Sequence, residues 1–442
     1  MTTSTHLKCA ARAALRGTAR GWLAIAVAFA ATGCELDLEN PNAPPESQVV
    51  SSVDGLYALA IGMQGQYANT MDDYLTTNSL GTDEWGTVGK ALISYQSMFT
   101  GDNFDNSYLI VEDPWANSYE TIKSANTILA NVDGLGLGTG LRNQFTALAK
   151  LFKAMSYGML IQQYEAVPVA VGTSGAPVQP RDVVLDTVLD LLSSANDDMS
   201  QVTDADIALT QNRLLGSGFD IRNTVNAMLA RYSLMAGDYQ AAIDAADAVD
   251  LSVLSVFEFP PPTRNPVENL AFQLGYVGAL KSFVDQAEPG DRRPAYWVDV
   301  AAAPLVGIPP DSAVLPLKKY SLPEDPFPVY LPDEMRLIAA EALTRTNQLP
   351  AAAILVNDVR TQSSSSVDEP VAGLPALPGS ALDTQDELLA EIAKQRRYEL
   401  FEQGLRWEDT RRFGNALTTT PTVEFLPIPQ QECLTNTSKP CA

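Results

Sequence analysis

Two tryptophans stand in stretches suited to holding a solute. Trp85 lies in Thr82-Asp83-Glu84-Trp85-Gly86, and Trp297 closes the run Asp291-Arg292-Arg293-Pro294-Ala295-Tyr296. Polar nutrients such as sugars are gripped by aromatic faces that stack on their apolar ring surfaces, while carboxylates, amides and guanidinium groups meet the hydroxyls. By that chemistry Trp85, Asp83, Tyr74, Trp297, Tyr296 and Arg293 are the candidate ligand contacts. The plainer alternative for each indole is a place in the core. No catalytic residue stands out by type and spacing, so the chemistry in view is binding without covalent change.

What the chain lacks narrows the reading further. The N-terminus carries Lys8, Arg12, Arg16 and Arg20 ahead of the apolar run Gly21 to Ala31, with no acidic residue before Glu35. This is the pattern of a secretory signal peptide over residues 1–33, too short for a bilayer span of roughly 20 apolar residues. The sole histidine, His6, leaves with it. A mature chain without imidazole builds no Ser-His-Asp or Cys-His nucleophile system, no histidine general base and no His-ligated zinc. Removing four of 29 basic residues and none of the 53 acidic ones leaves 25 against 53, a net charge of −28. Nucleic acid is therefore excluded as a partner, since phosphates need clustered Lys and Arg. Gly81, Gly86 and Gly89-Lys90 do not make a phosphate loop, because Thr87 follows Gly86 where Lys is required. An EF-hand spacing is absent too, and no metal or cofactor is called for.

Four cysteines remain to be placed. Cys9 departs with the signal, and Cys34 follows the small residues Ala31-Thr32-Gly33. That context is similar to a bacterial lipobox, which makes Cys34 the lipidated new N-terminus, anchored in outer-membrane lipid. An ordinary secreted protein with a free Cys34 is the alternative. Residues 34–50, with Glu35, Asp37 and Glu39, read as a linker that is either an acidic export tag or simply a solvated spacer. Cys433 and Cys441 are left for one disulfide in an oxidising envelope.

The elements that must position these residues are mostly helices. Apolar residues at steps of three and four mark helices at about 51–69, 115–165, 222–250, 333–360 and 386–412. Two stretches read as helix hairpins similar to tetratricopeptide pairs, one turning at Gly237-Asp238-Tyr239 and the other between Asn347 and Pro350. Residues 257–332 hold 14 of the 29 prolines. Proline is barred from helix interiors and central strands, so this segment reads as long ordered loops with short strands. Residues 70–114 and the Ser-rich stretch from Ser363 read as loops as well. Residues 51–442 then form one mainly α-helical domain whose looped half faces the ligand.

The C-terminal run from Gln395 to Gly414 contains Arg396-Arg397-Tyr398-Glu399-Leu400, then Glu402-Gln403-Gly404-Leu405-Arg406 and Asp409-Thr410-Arg411-Arg412. It resembles the SusD/RagB family signature, from which Gln395, Gln403 and Thr410 depart. Pro332 to Arg345, Asn357-Asp358-Val359-Arg360, Leu426-Pro427-Ile428-Pro429 and Trp115 to Asn126 resemble other family segments in the same order. The spacing of Arg396, Glu399, Arg406, Asp409 and Arg412 assigns them to structural charge-assisted bonds between helices rather than to a ligand. The resemblance implies a SusD-like fold and a surface lipoprotein of the outer membrane. Such a protein would bind a glycan or peptide-like nutrient and deliver it to a SusC-like TonB-dependent transporter, without enzymatic activity. Two rivals stand beside this reading: a secreted glycoside hydrolase using two carboxylates, which needs no histidine, and a helical scaffold that binds only envelope proteins.

Overall fold

Helix α1 (Val53–Leu80) sets the frame. Ser52 caps its start, its hydroxyl accepting from the Gly55 N–H at 3.1 Å, and Leu56, Ala60, Met63, Tyr67, Met71 and Tyr74 form its buried stripe. The helix runs well past residue 69 into a stretch expected to be loop. The Thr-rich sequence tolerates this because the hydroxyls of Thr70, Thr76 and Thr77 donate to the carbonyls of Gln66, Asp72 and Asp73 one turn back. The structure, a computed structural model, describes residues 49–441 except 103, 172–174, 311, 415–420 and 439. The signal segment, Cys34 and the linker up to residue 48 lie outside the described residues.

After β1 (Trp85–Val88) come α2 (Ile93–Thr100), α3 (Leu109–Asn131) and α4 (Thr139–Gln163). A hairpin of β2 (Ala166–Pro168) and β3 (Val178–Pro180) leads to α5 (Arg181–Ser200), a helix the sequence reading did not anticipate, and then to α6 (Asp204–Thr210). Helix α4 is the centre of the molecule, packed on α1, α3 and α5. It buries Phe145, Leu148, Leu151, Phe152, Met155, Leu160 and Ile161 completely or nearly so, each burial contributing about 1.5–3 kcal/mol. Gly158 lies where α4 meets Tyr232, and a Cβ there would sit 2.1 Å from that ring.

Helices α7 (Ile221–Ala236) and α8 (Tyr239–Asp247) form the first hairpin. Asp220 caps the former, Gly237 takes the left-handed conformation at φ 79°, and Asp238 caps the latter. The second hairpin joins α11 and α12, described below. Between the hairpins the proline-rich segment folds as strands β4 (Val256–Phe257), β5 (Val277–Leu280), β6 (Leu305–Ile308), β7 (Ala313–Leu315) and β8 (Phe327–Pro328), with the short helices α9 (Lys281–Asp285) and α10 (Arg293–Trp297). Strand β1 pairs with β5 and β6, and both pair with β7, so the four close on one another. The register sets Trp85 opposite Ala279 and Gly86 opposite Gly278.

Helices α11 (Pro332–Arg345) and α12 (Leu349–Thr361) turn at Asn347, whose φ is 61°, with Pro350 in the first turn of α12. Helix α13 (Gln385–Glu399) opens with a reciprocal Thr384–Glu387 cap. It is followed by α14 (Arg406–Phe413) and α15 (Gln430–Thr435). A second core lies under α11–α13, built from Leu337, Val356, Val359, Leu388 and Ile392. Cys433 and Cys441 are disulfide-bonded. The chain from Ser47 onward is one compact unit. Among the described residues, no helix is long and apolar enough to cross a membrane.

Candidate ligand-binding cleft

The residues singled out by sequence are mostly interior. Trp85 and Trp297 are both 0 % exposed, leaving no ring face for a sugar to stack on. Neither lies in a loop: Trp85 begins β1 and Trp297 ends α10. The Trp85 indole donates to Glu402 Oε1 at 3.3 Å, and the Trp297 indole to the Tyr398 carbonyl at 2.9 Å. Arg293 is likewise fully buried, paired with Asp291 at 2.7 Å and Glu399 at 3.3 Å. Tyr74 is buried and donates its hydroxyl between Gln162 Oε1 (2.9 Å) and the Gly404 carbonyl (2.5 Å). Asp83 is held by Arg406 at 2.8 Å and Arg397 at 3.0 Å. Tyr296, like Asp83, is partly open, its hydroxyl donating to Asp368 at 2.9 Å and its ring lying against the Lys319 ammonium. Tyr296, Trp297 and Arg293 sit together in or beside α10, and Trp85, Asp83 and Tyr74 are tied to Glu402, Arg397 and Arg406, and Gly404 of the same C-terminal run that Trp297 and Arg293 contact.

An open cleft lies elsewhere, along the outward stripe of α1. Ile61, Gln64, Gly65, Ala68, Asn69 and Asp72 recur at helical spacing and line two adjoining cavities. One, of about 380 Å³, is apolar, with Phe219, Phe257 and Phe259 on its far wall. The other, of about 470 Å³, is more polar and is closed by Pro262, Arg264, Pro266 and Asn269. Ala68, Asn69 and Thr263 line both. The proline-rich wall is fixed from beneath by buried Asn265, whose amide donates to the Asp325 carbonyl at 2.9 Å while its oxygen accepts from the Val267 and Glu268 amides. Arg264 is locked in turn by Glu268 at 2.7 Å and Gln273 at 2.6 Å.

The polar end carries the electrostatics. Burial pushes the Asp72 carboxyl up to about 7, against hydrogen bonds from Thr76 and Asn269 that pull it back, and one Asp72 oxygen has no partner. Burial, then the nearby Asp72 and Asp113 charges, raise Asp73 well above the usual carboxylate range. Tyr95 from α2 and Tyr276 just before β5 meet edge to face, ring centroids 6.0 Å apart, and both are half-buried. Burial and then Asp72 and Asp73 push the Tyr95 phenol upward as well, so it feels the same acidic group, although it is not among the residues lining the two cavities. Half-open tyrosine rings beside carboxylates and the Asn69 and Asn269 amides offer one face for stacking and several groups for hydroxyls. Sequence reasoning missed Tyr95, Tyr276, Asp72, Asp73 and Asp113. The usable signal was the presence of tyrosines within the two stretches flagged as ligand-bearing, 70–114 and 257–332, had the search not been confined to tryptophan and its neighbours.

Remote from this cleft, the C-terminal charged run is knitted into the frame. Arg396 meets Asp409 through two 2.9 Å bonds, Arg412 bridges Asp409 (2.8 Å) and Glu341 (3.1 Å), and Arg181 meets Glu408 at 2.7 Å. These groups are buried or nearly so and serve helix docking. The family model for the SusD family matches residues 324–422, which contain this run. Solved structures share the architecture over most of the chain. NanU of Bacteroides fragilis aligns over 90 % of this chain and 98 % of its own at 13 % identity, TM-score 0.69. A SusD-like protein of the same organism covers 88 % and 97 % at 15 % identity, TM-score 0.68. A SusD-like carbohydrate-binding protein of Bacteroides vulgatus covers 86 % and 97 % at 15 % identity, TM-score 0.66.

The chain thus has a SusD-like fold, and its residues 324–422 match the SusD family model. No curated protein sequence is similar enough to this chain to add a comparison. Within the matched segment the charged run reads as an assembly code: Arg406 reaches from α14 to Asp83 ahead of β1, and Arg412 reaches to Glu341 on α11. It thereby joins the first helix, the strand cluster and the second hairpin, while the cleft is free to differ.

Proposed function

We propose that this protein binds a neutral glycan in the cleft between α1 and the 262–276 segment and passes it, unchanged, to a SusC-like TonB-dependent transporter of the outer membrane. The observation that carries the reading is the half-open Tyr95–Tyr276 pair, which lies in the electrostatic neighbourhood of Asp72, Asp73 and Asp113 at the polar cavity's edge. Carbohydrate binding by a SusD-like relative of the same fold supports the ligand class. The acidity of the cleft favours a ligand without negative charge. Lipidated Cys34 would tether the protein at the cell surface, leaving the folded unit on a linker over the transporter.

Calorimetric titration with a panel of neutral oligosaccharides tests the site. Replacing both Tyr95 and Tyr276 by Ala should weaken the best ligand about tenfold, two lost ring contacts together being worth ~1.5 kcal/mol. Undiminished affinity in the double variant would remove the cleft from consideration. Co-purification with a large barrel, lost when Cys34→Ala releases the protein from membranes, tests the partner and the anchor. One feature favours a second reading, hydrolysis: Asp72, raised to about 7 beside other carboxylates, has the character of a general acid. Turnover of any bound glycan, abolished by Asp72→Asn, would establish it, and intact ligand after prolonged incubation would dismiss it.

A further inference from the structure

Away from the cleft, three carboxylates from distant parts of the chain converge beneath the segment joining α12 to α13. Asp333 opens α11, Glu369 lies in the connecting segment, and Glu399 ends α13. One oxygen from each lies within 4.8 Å of the others. Asp333 and Glu399 are 0 % exposed and Glu369 is 7 % exposed.

Each residue engages one of its oxygens and leaves the other idle. Asp333 Oδ1 meets Arg336, Glu399 Oε2 lies 3.3 Å from Arg293, and Glu369 Oε1 accepts from Gln362 at 2.9 Å and Ser365 at 2.6 Å. Asp333 Oδ2, Glu369 Oε2 and Glu399 Oε1 have no hydrogen-bond partner. A buried acceptor without a donor is costly, and here three of them gather at one place. The charges do not balance either. Asp291, Asp333, Glu369 and Glu399 set against Arg293 and Arg336 leave a surplus of −2, to which nearby Asp358 adds.

We propose that Asp333, Glu369 and Glu399 bind one hard divalent cation of calcium size. The donors are all oxygens, with no thiolate or imidazole to favour zinc or copper. Ligand oxygens within 4.8 Å of one another can close on one ion, and a buried set of carboxylates from three different elements, without the rigid octahedral cage magnesium demands, suits the flexible coordination of calcium. A cavity of about 400 Å³ lined by Arg336, Asp358, Gln362, Ser365 and Glu369 gives the ion a route from solvent. Bound there, the ion ties α11, the connecting segment and α13 together and supplies the two missing positive charges. Burial pushes Glu369 up to about 7 and raises Asp333 and Glu399 too, so protons compete with the metal and binding weakens as pH falls.

The test is calcium titration of the purified, chelator-treated protein by calorimetry, together with thermal unfolding, all without sugar. The expected result is one equivalent bound and a Tm rise of about 3 °C at saturating calcium, with magnesium at the same concentration ineffective. Glu369→Gln, on the connecting segment, should weaken calcium by about tenfold or more, because affinity follows the number of charged ligands. Asp333→Asn should do the same, and Asp244→Asn on the exposed side of α8 should not. Absence of both heat and Tm shift would overturn the proposal, as would several weak equivalents indifferent to Glu369→Gln. So would a calcium-insensitive stability that rises on acidification, the behaviour of carboxyls that merely share protons. Each readout is independent of whether the cleft binds a glycan.

Discussion

Replacing Asp409 by Asn keeps the shape of the side chain and removes the charge at the junction of α13 and α14. Asp409 is 1 % exposed and receives Arg396 through two 2.9 Å bonds and Arg412 through one at 2.8 Å. Arg396 is itself buried and already has one nitrogen without a partner, so the substitution strands a guanidinium in the interior. Breaking a buried pair from one side costs about 3–5 kcal/mol. For the roughly 400 residues of Ser47–Ala442 the unfolding entropy is about 0.8 kcal/mol/K, so a loss of ~4 kcal/mol lowers Tm by about 5 °C. Denaturant and thermal unfolding followed by circular dichroism at pH 7 measure it. Burial alone would raise the Asp409 carboxyl, but Arg396 and Arg412 outweigh it and hold it below the usual range. The ion pair therefore contributes above an unfolded value near pH ~3.9 and is lost as pH falls through the lower folded value, so wild type and variant should converge in acid. Glycan affinity should stay within about twofold of wild type, since these groups lie outside the cleft. A loss of stability below about 1 kcal/mol would refute the reasoning, and lost affinity with intact stability would transfer the charged run from scaffold to binding site.

Four further substitutions separate frame from cleft. Gly158→Ala gains up to about 1 kcal/mol of helix propensity on an open surface, yet here its Cβ meets the Tyr232 ring at 2.1 Å, so chemical denaturation should show net destabilisation of about 1–3 kcal/mol. Asp72→Asn should stabilise the protein at pH 8 and not at pH 3. The folded carboxyl is raised to about 7, so wild type loses stability as pH climbs from about 4 to about 7, and unfolding curves across that window would show the gap opening. Trp85→Phe and Trp297→Phe each remove a buried indole hydrogen bond, so each should lower stability by about 1–3 kcal/mol while leaving glycan titrations unchanged.

Much of the frame was legible because its signals are local. The α7–α8 and α11–α12 turns announce themselves through Gly237 and Asn347, which take left-handed conformations, and the charged run of α13 and α14 is continuous in sequence. Helix α1 was cut short because threonines argue for loop when their back-bonding to the preceding turn is left out. The site was less legible for a related reason. Polar neighbours made Trp85 and Trp297 look like surface residues, but Asp83 and Arg293 use their charge on buried partners, Arg406 and Glu399. Around the polar cavity Asp72, Tyr95, Asp113 and Tyr276 come from separate elements, and the acidic trio joins positions 333, 369 and 399, so no spacing along the chain could reveal either.

The acidity of the protein ties these parts together. A net charge of −24 repels anions at long range, and Asp72 at the polar cavity, with Asp73 and Asp113 near it, repeats that sign. An anionic ligand would have to overcome both, and the guanidinium groups that line the two cavities already have partners, Arg264 in Glu268 and Gln273 and Arg213 in Asp54. A neutral polyol meets no such barrier and finds acceptors for its hydroxyls beside the two tyrosine rings. The same carboxylates are costly to bury without a partner, so a bound hydroxyl that donates to the idle Asp72 oxygen relieves the cleft as it binds. Binding strength and folded-state strain are thus linked at one atom, and affinity should change with pH in the range where Asp72 titrates.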